Sequence, residues 1–295
     1  MYLNMSDHSP LFVRRFGQGQ PVLVLSGLGM TSNQWLPFLW PLRQHFDFII
    51  PDWRGFGGSQ QAKIPSLDAI QSHWQDLNSI CQQLKLDEVR VIAYSMGATT
   101  AMYGMQYANF AERICGYLHI DQSPCIQNQA DWSYGLYGEQ QTEFLEKLIA
   151  LRASLKNYQS IQQMPRLQQQ QVFYAWQNLL HFQGTHPVLR KSLQQLQRIP
   201  QLGAYSLPLK NLHMMAWYLD TYLGHDLDLR PSLHTLSCPI TWLSGQNSTL
   251  YPITGQALLA EQVKATHVIL PKSGHAPLVS EPLAFYQTLR RFLMP

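Results

Sequence analysis

The chain has 295 residues, 45% of them hydrophobic, 12% aromatic and only 13% charged, with a formal net charge of +3. That balance excludes disorder as the main state and leaves no electrostatic footprint of a nucleic-acid binder. No run reaches the ~18 uninterrupted apolar residues of a membrane span, and the opening MYLNMSDHSP has no apolar signal-peptide core.

A cytoplasmic protein is therefore expected, with no transmembrane segment and no nucleic-acid partner. The four cysteines, Cys81, Cys115, Cys125 and Cys238, form no C-x-x-C pair, which predicts reduced thiols and no structural zinc. The length suits one large domain, or one domain carrying a sizeable insertion.

In chain order, LFVRRF at 11–16 reads as a strand, Gly17-Gln18-Gly19 as a turn and VLVLSG at 22–27 as a buried parallel strand. The Trp-rich segment 32–44 contains Pro37 and Pro41, so any helix there is short or broken. FDFII at 46–50 is the next strand. Ser66 reads as the N-cap of a helix with Asp68 in its first turn, and Leu67, Ile70, Trp74, Leu77, Ile80 and Leu84 form its apolar stripe. VRVIAY at 89–94, a helix at 98–108 and GYLHI at 116–120 continue the alternation.

From 125 to 235 the spacing predicts helices only. Phe144, Leu145, Leu148, Ile149 and Leu155 mark one face, and Val172, Phe173, Trp176, Leu179 and Leu180 a second. Leu212, Met215, Ala216, Leu219, Tyr222 and Leu223 mark a third, and Pro187 opens a further helix through Leu189, Leu193 and Leu196. Alternation resumes with PITWLSG at 239–245, a helix near 253–264, THVILP at 266–271 and a last helix from Pro282 to Phe292. The class is α/β: a mostly parallel central sheet flanked by helices. Its core is 1–124 with 236–295, interrupted by a helical cap at 125–235.

Ala93-Tyr94-Ser95-Met96-Gly97 lies between a strand and a helix. A serine on so tight a turn is pushed out at the sheet edge, and the residues two before and two after it must be small. Three further pieces flank it in order: Ser26-Gly27-Leu28-Gly29, the turn Asp52-Trp53-Arg54-Gly55-Phe56-Gly57-Gly58-Ser59, and Ser273-Gly274-His275-Ala276-Pro277 with Glu281-Pro282 behind. Together they resemble the α/β-hydrolase superfamily over most of the chain outside the helical insertion. Ala93, where glycine is usual, and Ser26, where histidine is usual, depart from its pattern.

The resemblance implies Ser95 as nucleophile, His275 as its base, and backbone N–H groups of Met96 and Leu28 as the oxyanion hole. It implies no metal and no organic cofactor. Asp52 and Arg54 are expected to fix their turn. His119 and His267, in strand patterns, are expected to be packed residues, while His181, His186, His213, His225 and His234 belong to the insertion or its exit.

The acid is the open question. The superfamily usually carries it in a Gly-x-x-Asp-x-x-x-Pro loop, but here Gly245 to Pro252 has Ser248 at that position, and no Asp or Glu occurs from 245 to 260. The other solution in the superfamily places it after the strand that follows the nucleophile helix, where Asp121 stands. Asp121 either orients His275 or caps the loop before Pro124.

The function implied is a serine hydrolase that cleaves a carboxylic ester through an acyl-serine intermediate. Its small-molecule substrate is expected to carry an apolar acyl or aryl group, since Tyr134, Tyr137, Phe144, Phe173, Trp176, Trp217 and Tyr218 enrich the insertion in large side chains. A thioesterase, a C–C bond hydrolase and an acyltransferase share the same machinery. From another class, a catalytically inactive ligand-binding relative fits the missing acid at 248.

Overall fold

A computed structural model describes residues 1–155, 158–182, 207, 209–224 and 226–294. Eight strands form one sheet: β1 Tyr2–Asn4, β2 Pro10–Gly17, β3 Gln20–Leu25, β4 Phe46–Pro51, β5 Val89–Tyr94, β6 Ile114–Ile120, β7 Ile240–Gly245 and β8 Thr266–Leu270. Their order is β1-β2-β4-β3-β5-β6-β7-β8. The first two pairings are antiparallel and the rest parallel, and β4 to β7 are buried almost throughout, as the inner strands of a sheet covered on both faces are. β1 is a strand the sequence pattern does not announce, because three residues are too few to display an alternation.

The pleat sends alternate side chains to opposite faces. Val22, Val24, Phe48, Ile50, Ile92 and Leu118 join one buried cluster, with Leu39 of the short helix α1 (Leu36–Leu39). Leu23, Leu25, Ile49, Val91 and Ala93 join the other, under α2 (Ala69–Leu84) and α3 (Met96–Ala108). Each fully buried large aliphatic side chain contributes about 1.5–3 kcal/mol of transfer free energy. The 32–44 segment is broken as its prolines demand, into α1 between two 3-10 turns, Ser32–Trp35 and Trp40–Leu42.

One boundary differs from the sequence reading. The N-cap of α2 is Asp68, whose Oδ1 accepts from the N–H groups of Ile70 and Gln71 at 2.8 and 3.0 Å; it is not Ser66. A carboxylate makes a charge-assisted bond and complements the helix dipole, which a hydroxyl two residues earlier cannot do. Leu67 consequently falls outside the helix and is 37% exposed, while Ile70, Trp74, Leu77 and Ile80 are buried.

Between β6 and β7 the described residues form helices and no strand: α4 (Gln141–Ser154), α5 (Arg166–Phe182), α6 (Leu212–Gly224) and the short α7 (Arg230–Leu233). The side chains of 177–182, and with them Leu179, Leu180 and His181, lie outside the described residues, as do His186, the helix expected after Pro187, and His225. The second half closes with α8 (Ile253–Gln262), α9 (Pro277–Ser280) and α10 (Pro282–Leu293).

From β3 the chain passes to β4 on one side and then to β5 on the other, so the strand order reverses between β3 and β5. Outside the carboxyl ends of strands at such a point, open parallel sheets leave a crevice. Ser26-Gly27-Leu28 follows β3 there and Ser95 follows β5.

Candidate active site

Ser95 joins β5 directly to α3, with φ 51° and ψ −125°, a backbone region that non-glycine residues rarely occupy. The turn is held from both sides. The Ser95 N–H donates to Ile120 O at 3.1 Å, and the Ser95 carbonyl accepts from Ala98 and Thr99 at 2.8 and 3.2 Å. A Cβ on Gly97 would lie 2.3 Å from Leu25 O, so only glycine lets α3 settle over β3. Ala93, the departure from the usual glycine, is a fully buried strand residue of the core.

His275 lies in the loop after β8. Its Nε2 is 2.9 Å from Ser95 Oγ and its Nδ1 is 2.6 Å from Asp121 Oδ2. The loop is fixed by Tyr94, whose hydroxyl donates to His275 O at 2.8 Å, and by Glu281, whose Oε2 accepts from Lys272 N and Ser273 Oγ, both at 2.8 Å. Burial pushes the Tyr94 phenol well above its ordinary pKa, so that hydroxyl stays a donor.

Asp121 is completely buried, with φ 43°. Its N–H donates to Leu243 O at 2.9 Å. Its Oδ1 accepts from Gly245 N at 3.1 Å and Gln256 Nε2 at 2.9 Å, and its Oδ2 accepts from Ser248 Oγ at 2.7 Å besides His275. An ionised carboxylate offers about four lone-pair sites, and here each oxygen is taken twice. Ser248 thus stands beside the carboxylate rather than in place of one. Asn247 turns away, with Nδ2 donating to Pro271 O at 3.1 Å.

Met96 is the first residue of α3, where backbone N–H groups have no intrahelical partner. Leu28 follows Gly27 and is 40% exposed. A Cβ on Gly27 would come within 2.9 Å of the Tyr94 ring, which places this loop against the serine turn. Ser26, the departure from the superfamily pattern, is buried and anchored: its Oγ accepts from Trp35 Nε1 at 3.0 Å and its carbonyl from Trp53 Nε1 at 2.7 Å. Two tryptophans thus hold Ser26 through its side chain and its backbone.

Asp52 and Arg54 fix their turn. Asp52 accepts from Ser32 N and Gly58 N at 2.6 and 2.9 Å. Arg54 is buried between Asp76 and Asp7, at 2.6 and 2.7 Å. His119 is fully buried with its ring 3.9 Å from Trp242, and burial drives its pKa down to about 4. His267 is half-buried, and desolvation lowers its pKa as well.

The sequence reading gives no role to two residues that hold the site, Tyr94 and Gln256, nor to the buried His73. The only signal for Gln256 is a lone amide in the apolar stretch ITGQALLA, and such a pattern is too common to single out. His73 is buried against Trp53 with Nε2 3.0 Å from Tyr218 Oη, and no motif surrounds it.

Among the described residues no group of three or more His, Cys, Asp or Glu side chains could hold a metal ion, and no helix is long and apolar enough to cross a membrane.

Comparison with known proteins agrees with this architecture. The chain is 26% identical over 286 residues to the pimeloyl-[acyl-carrier protein] methyl ester esterase of Aeromonas salmonicida, covering 95% of this chain and 98% of that protein. It is 27% identical over 286 residues to the esterase of the same name from Vibrio campbellii, covering 94% and 96%. In three dimensions it resembles an esterase from Exiguobacterium antarcticum with a TM-score of 0.72 at 20% identity, over 100% of this chain and 99% of that one. The model of the alpha/beta hydrolase fold family matches residues 20–282, and the chain belongs to that family.

Proposed function

We propose that the protein is a serine esterase that hydrolyses a carboxylic ester through an acyl-serine intermediate. The observation that carries this reading is the unbroken line from Ser95 Oγ to His275 Nε2 at 2.9 Å and from His275 Nδ1 to Asp121 Oδ2 at 2.6 Å. His275 accepts the Ser95 proton as Oγ attacks the ester carbonyl, and Asp121 holds the tautomer and balances the imidazolium. The N–H groups of Met96 and Leu28 receive the oxyanion. His275 then protonates the departing alkoxide. Water, deprotonated by the same imidazole, releases the acid and restores Ser95.

Among the reactions this machinery can serve, ester cleavage is favoured by the relatives, which are named as methyl ester esterases. An inactive receptor had as its ground the missing acid at 248; the contact of Asp121 with His275 supports activity instead. A fluorophosphonate probe tests the reading. It is expected to label the wild type, and Ser95→Ala to abolish labelling and cost roughly 10³-fold or more in kcat while the melting temperature holds. Labelling that persists in Ser95→Ala overturns the assignment.

The helices between β6 and β7 act as a cap over the serine. They are tied to the core through Tyr218, whose hydroxyl donates to Arg54 O at 2.8 Å, through Trp217, whose Nε1 donates to Leu67 O at 2.7 Å, and through Tyr137 N, which donates to Leu250 O at 2.7 Å. Trp217 and Tyr218 are thus spent on anchoring. The remaining aromatics support an apolar acyl or aryl preference. Octanoate esters are expected to exceed acetate esters in kcat/KM by roughly tenfold or more, since each buried CH₂ is worth about 0.8 kcal/mol. Equal values would remove the apolar acyl site.

A further inference from the structure

Gln256 lies on the first turn of α8, 1% exposed, and all four of its hydrogen-bonding positions are used. Oε1 accepts from Trp242 Nε1 at 3.2 Å and Ser244 Oγ at 2.8 Å. Nε2 donates to Asp121 Oδ1 at 2.9 Å and Tyr251 O at 3.0 Å.

The direction of the amide is fixed by chemistry. An indole N–H can only donate, so the atom facing Trp242 is the oxygen, and the NH₂ faces Asp121. Ser244 gives its proton to Gln256, so it accepts from His267 Nε2 at 3.0 Å. A line of donors therefore runs from His267 on β8 through Ser244 on β7 and Gln256 on α8 to Asp121. Ser248 adds a second donor on the other carboxylate oxygen.

We propose that Gln256 and Ser248 are positioning residues for Asp121. Gln256 holds Oδ1, which leaves Oδ2 directed at His275 Nδ1, and Ser248 shares Oδ2 with the imidazole. The loop after β7 and the helix α8 that follows it thus lack the acid but supply the donors that hold the acid contributed after β6. This inference rests on reading Ser95, His275 and Asp121 as the triad. Glutamate at 256 could still accept from Trp242 and Ser244, but it would set a second carboxylate against Asp121. Methionine at 256 matches the length and donates nothing.

The test measures ester hydrolysis, fluorophosphonate labelling and melting for the full chain. Gln256→Met is expected to lower kcat by roughly 10–100-fold with KM within about twofold, since a displaced group near the chemistry costs rate and not binding. Gln256→Glu is expected to lose at least as much, through like-charge repulsion. Ser248→Ala is expected to lose about 3–10-fold, the scale of one hydrogen bond, and Ser248→Thr, which keeps the hydroxyl, to lose less.

A merely structural role is separated by a double-mutant cycle. In an Asp121→Asn background, Gln256→Met is expected to cost little further activity, because its effect passes through Asp121. Additive losses, or a folded Gln256→Met with wild-type kcat, overturn the proposal. Should Gln256→Met not fold, equal kcat in Ser248→Ala and Ser248→Thr overturns it. Persistent labelling in Ser95→Ala would instead defeat the underlying triad reading, so the two failures are distinguishable.

Discussion

The loops after β6 and β7 lie side by side at one sheet edge and meet at a single carboxylate. The β6 loop contributes Asp121, buried, with positive φ and tied to β7 through Leu243 O. The β7 loop contributes no charge. Its Gly245 N–H and Ser248 hydroxyl point at Asp121, while Asn247 faces outward. The difference teaches that a charge and the donors stabilising it need not share a loop. On the proposed reading, what matters is the position of the carboxylate relative to His275 Nδ1, here 2.6 Å from Asp121 Oδ2.

The largest effect on this arrangement outside the three proposed triad residues is expected at Gly245. A Cβ there would lie 2.2 Å from Gly274 O and 2.7 Å from Ser273 O, both backbone atoms of the histidine loop. Gly245→Ala must therefore displace that loop, and kcat is expected to fall by roughly 10²-fold, the cost of a misplacement of about 1 Å. Melting temperature and kcat measured together check this. An unchanged kcat would mean that the β7 loop and the histidine loop are not packed as one unit.

A second effect separates the strands by pH. His119 on β6 donates through Nε2 to Gln122 O at 3.0 Å, in the loop that carries Asp121. Its pKa is lowered by burial to about 4. The unfolded chain takes up a proton below about pH 6.5 while the folded one refuses it until about 4, so stability rises with pH across that window and is lost as pH falls. The shift corresponds to about 3 kcal/mol. Denaturant titrations from pH 7 to 4 are expected to show this fall, and His119→Phe to flatten it. Part of the slope is expected to survive in that variant, because burial, aided by Arg54, drives His73 down to about 3. An unaltered slope in His119→Phe would contradict the account of the buried β6 side.

The smallest effect belongs to the outward side of the β7 loop. Asn247→Ala removes one exposed hydrogen bond to Pro271 O, so it is expected to cost no more than about 1 kcal/mol and to leave kcat within about twofold. A large loss of kcat would show that Asn247 shares the task assigned to Ser248.

Much of this site is legible in the sequence because its parts are local. The serine turn, the glycines around it and the Gly-His-Ala-Pro loop each need particular residues at fixed spacing, and the strand periodicity places them at one sheet edge. Asp121 is legible only through the superfamily resemblance, which offers a second place for the acid, since nothing in Asp121-Gln122-Ser123-Pro124 itself distinguishes a triad acid from a loop cap. Gln256 is illegible because its meaning depends on Trp242, Ser244 and Asp121, brought together from three separate elements. The Ser66 cap is misread because two good capping residues lie two apart, and only the path of the backbone chooses between them. Ser26 reads only as a departure from the superfamily pattern, and its anchoring by Trp35 and Trp53 comes from distant positions that no local motif announces.

The central claim is that the acid of this site is Asp121, presented from β6 and held from β7. The most direct measurement is kcat for ester hydrolysis in Asp121→Asn, with circular dichroism and melting confirming the fold, and again after adding Ser248→Asp. Asp121→Asn is expected to lose roughly 10²–10⁴-fold in kcat, the scale of removing a triad acid, and the added aspartate to restore part of it from the neighbouring loop. A well-folded Asp121→Asn protein with near-normal kcat would contradict the claim, leaving either a different acid or a Ser95–His275 dyad.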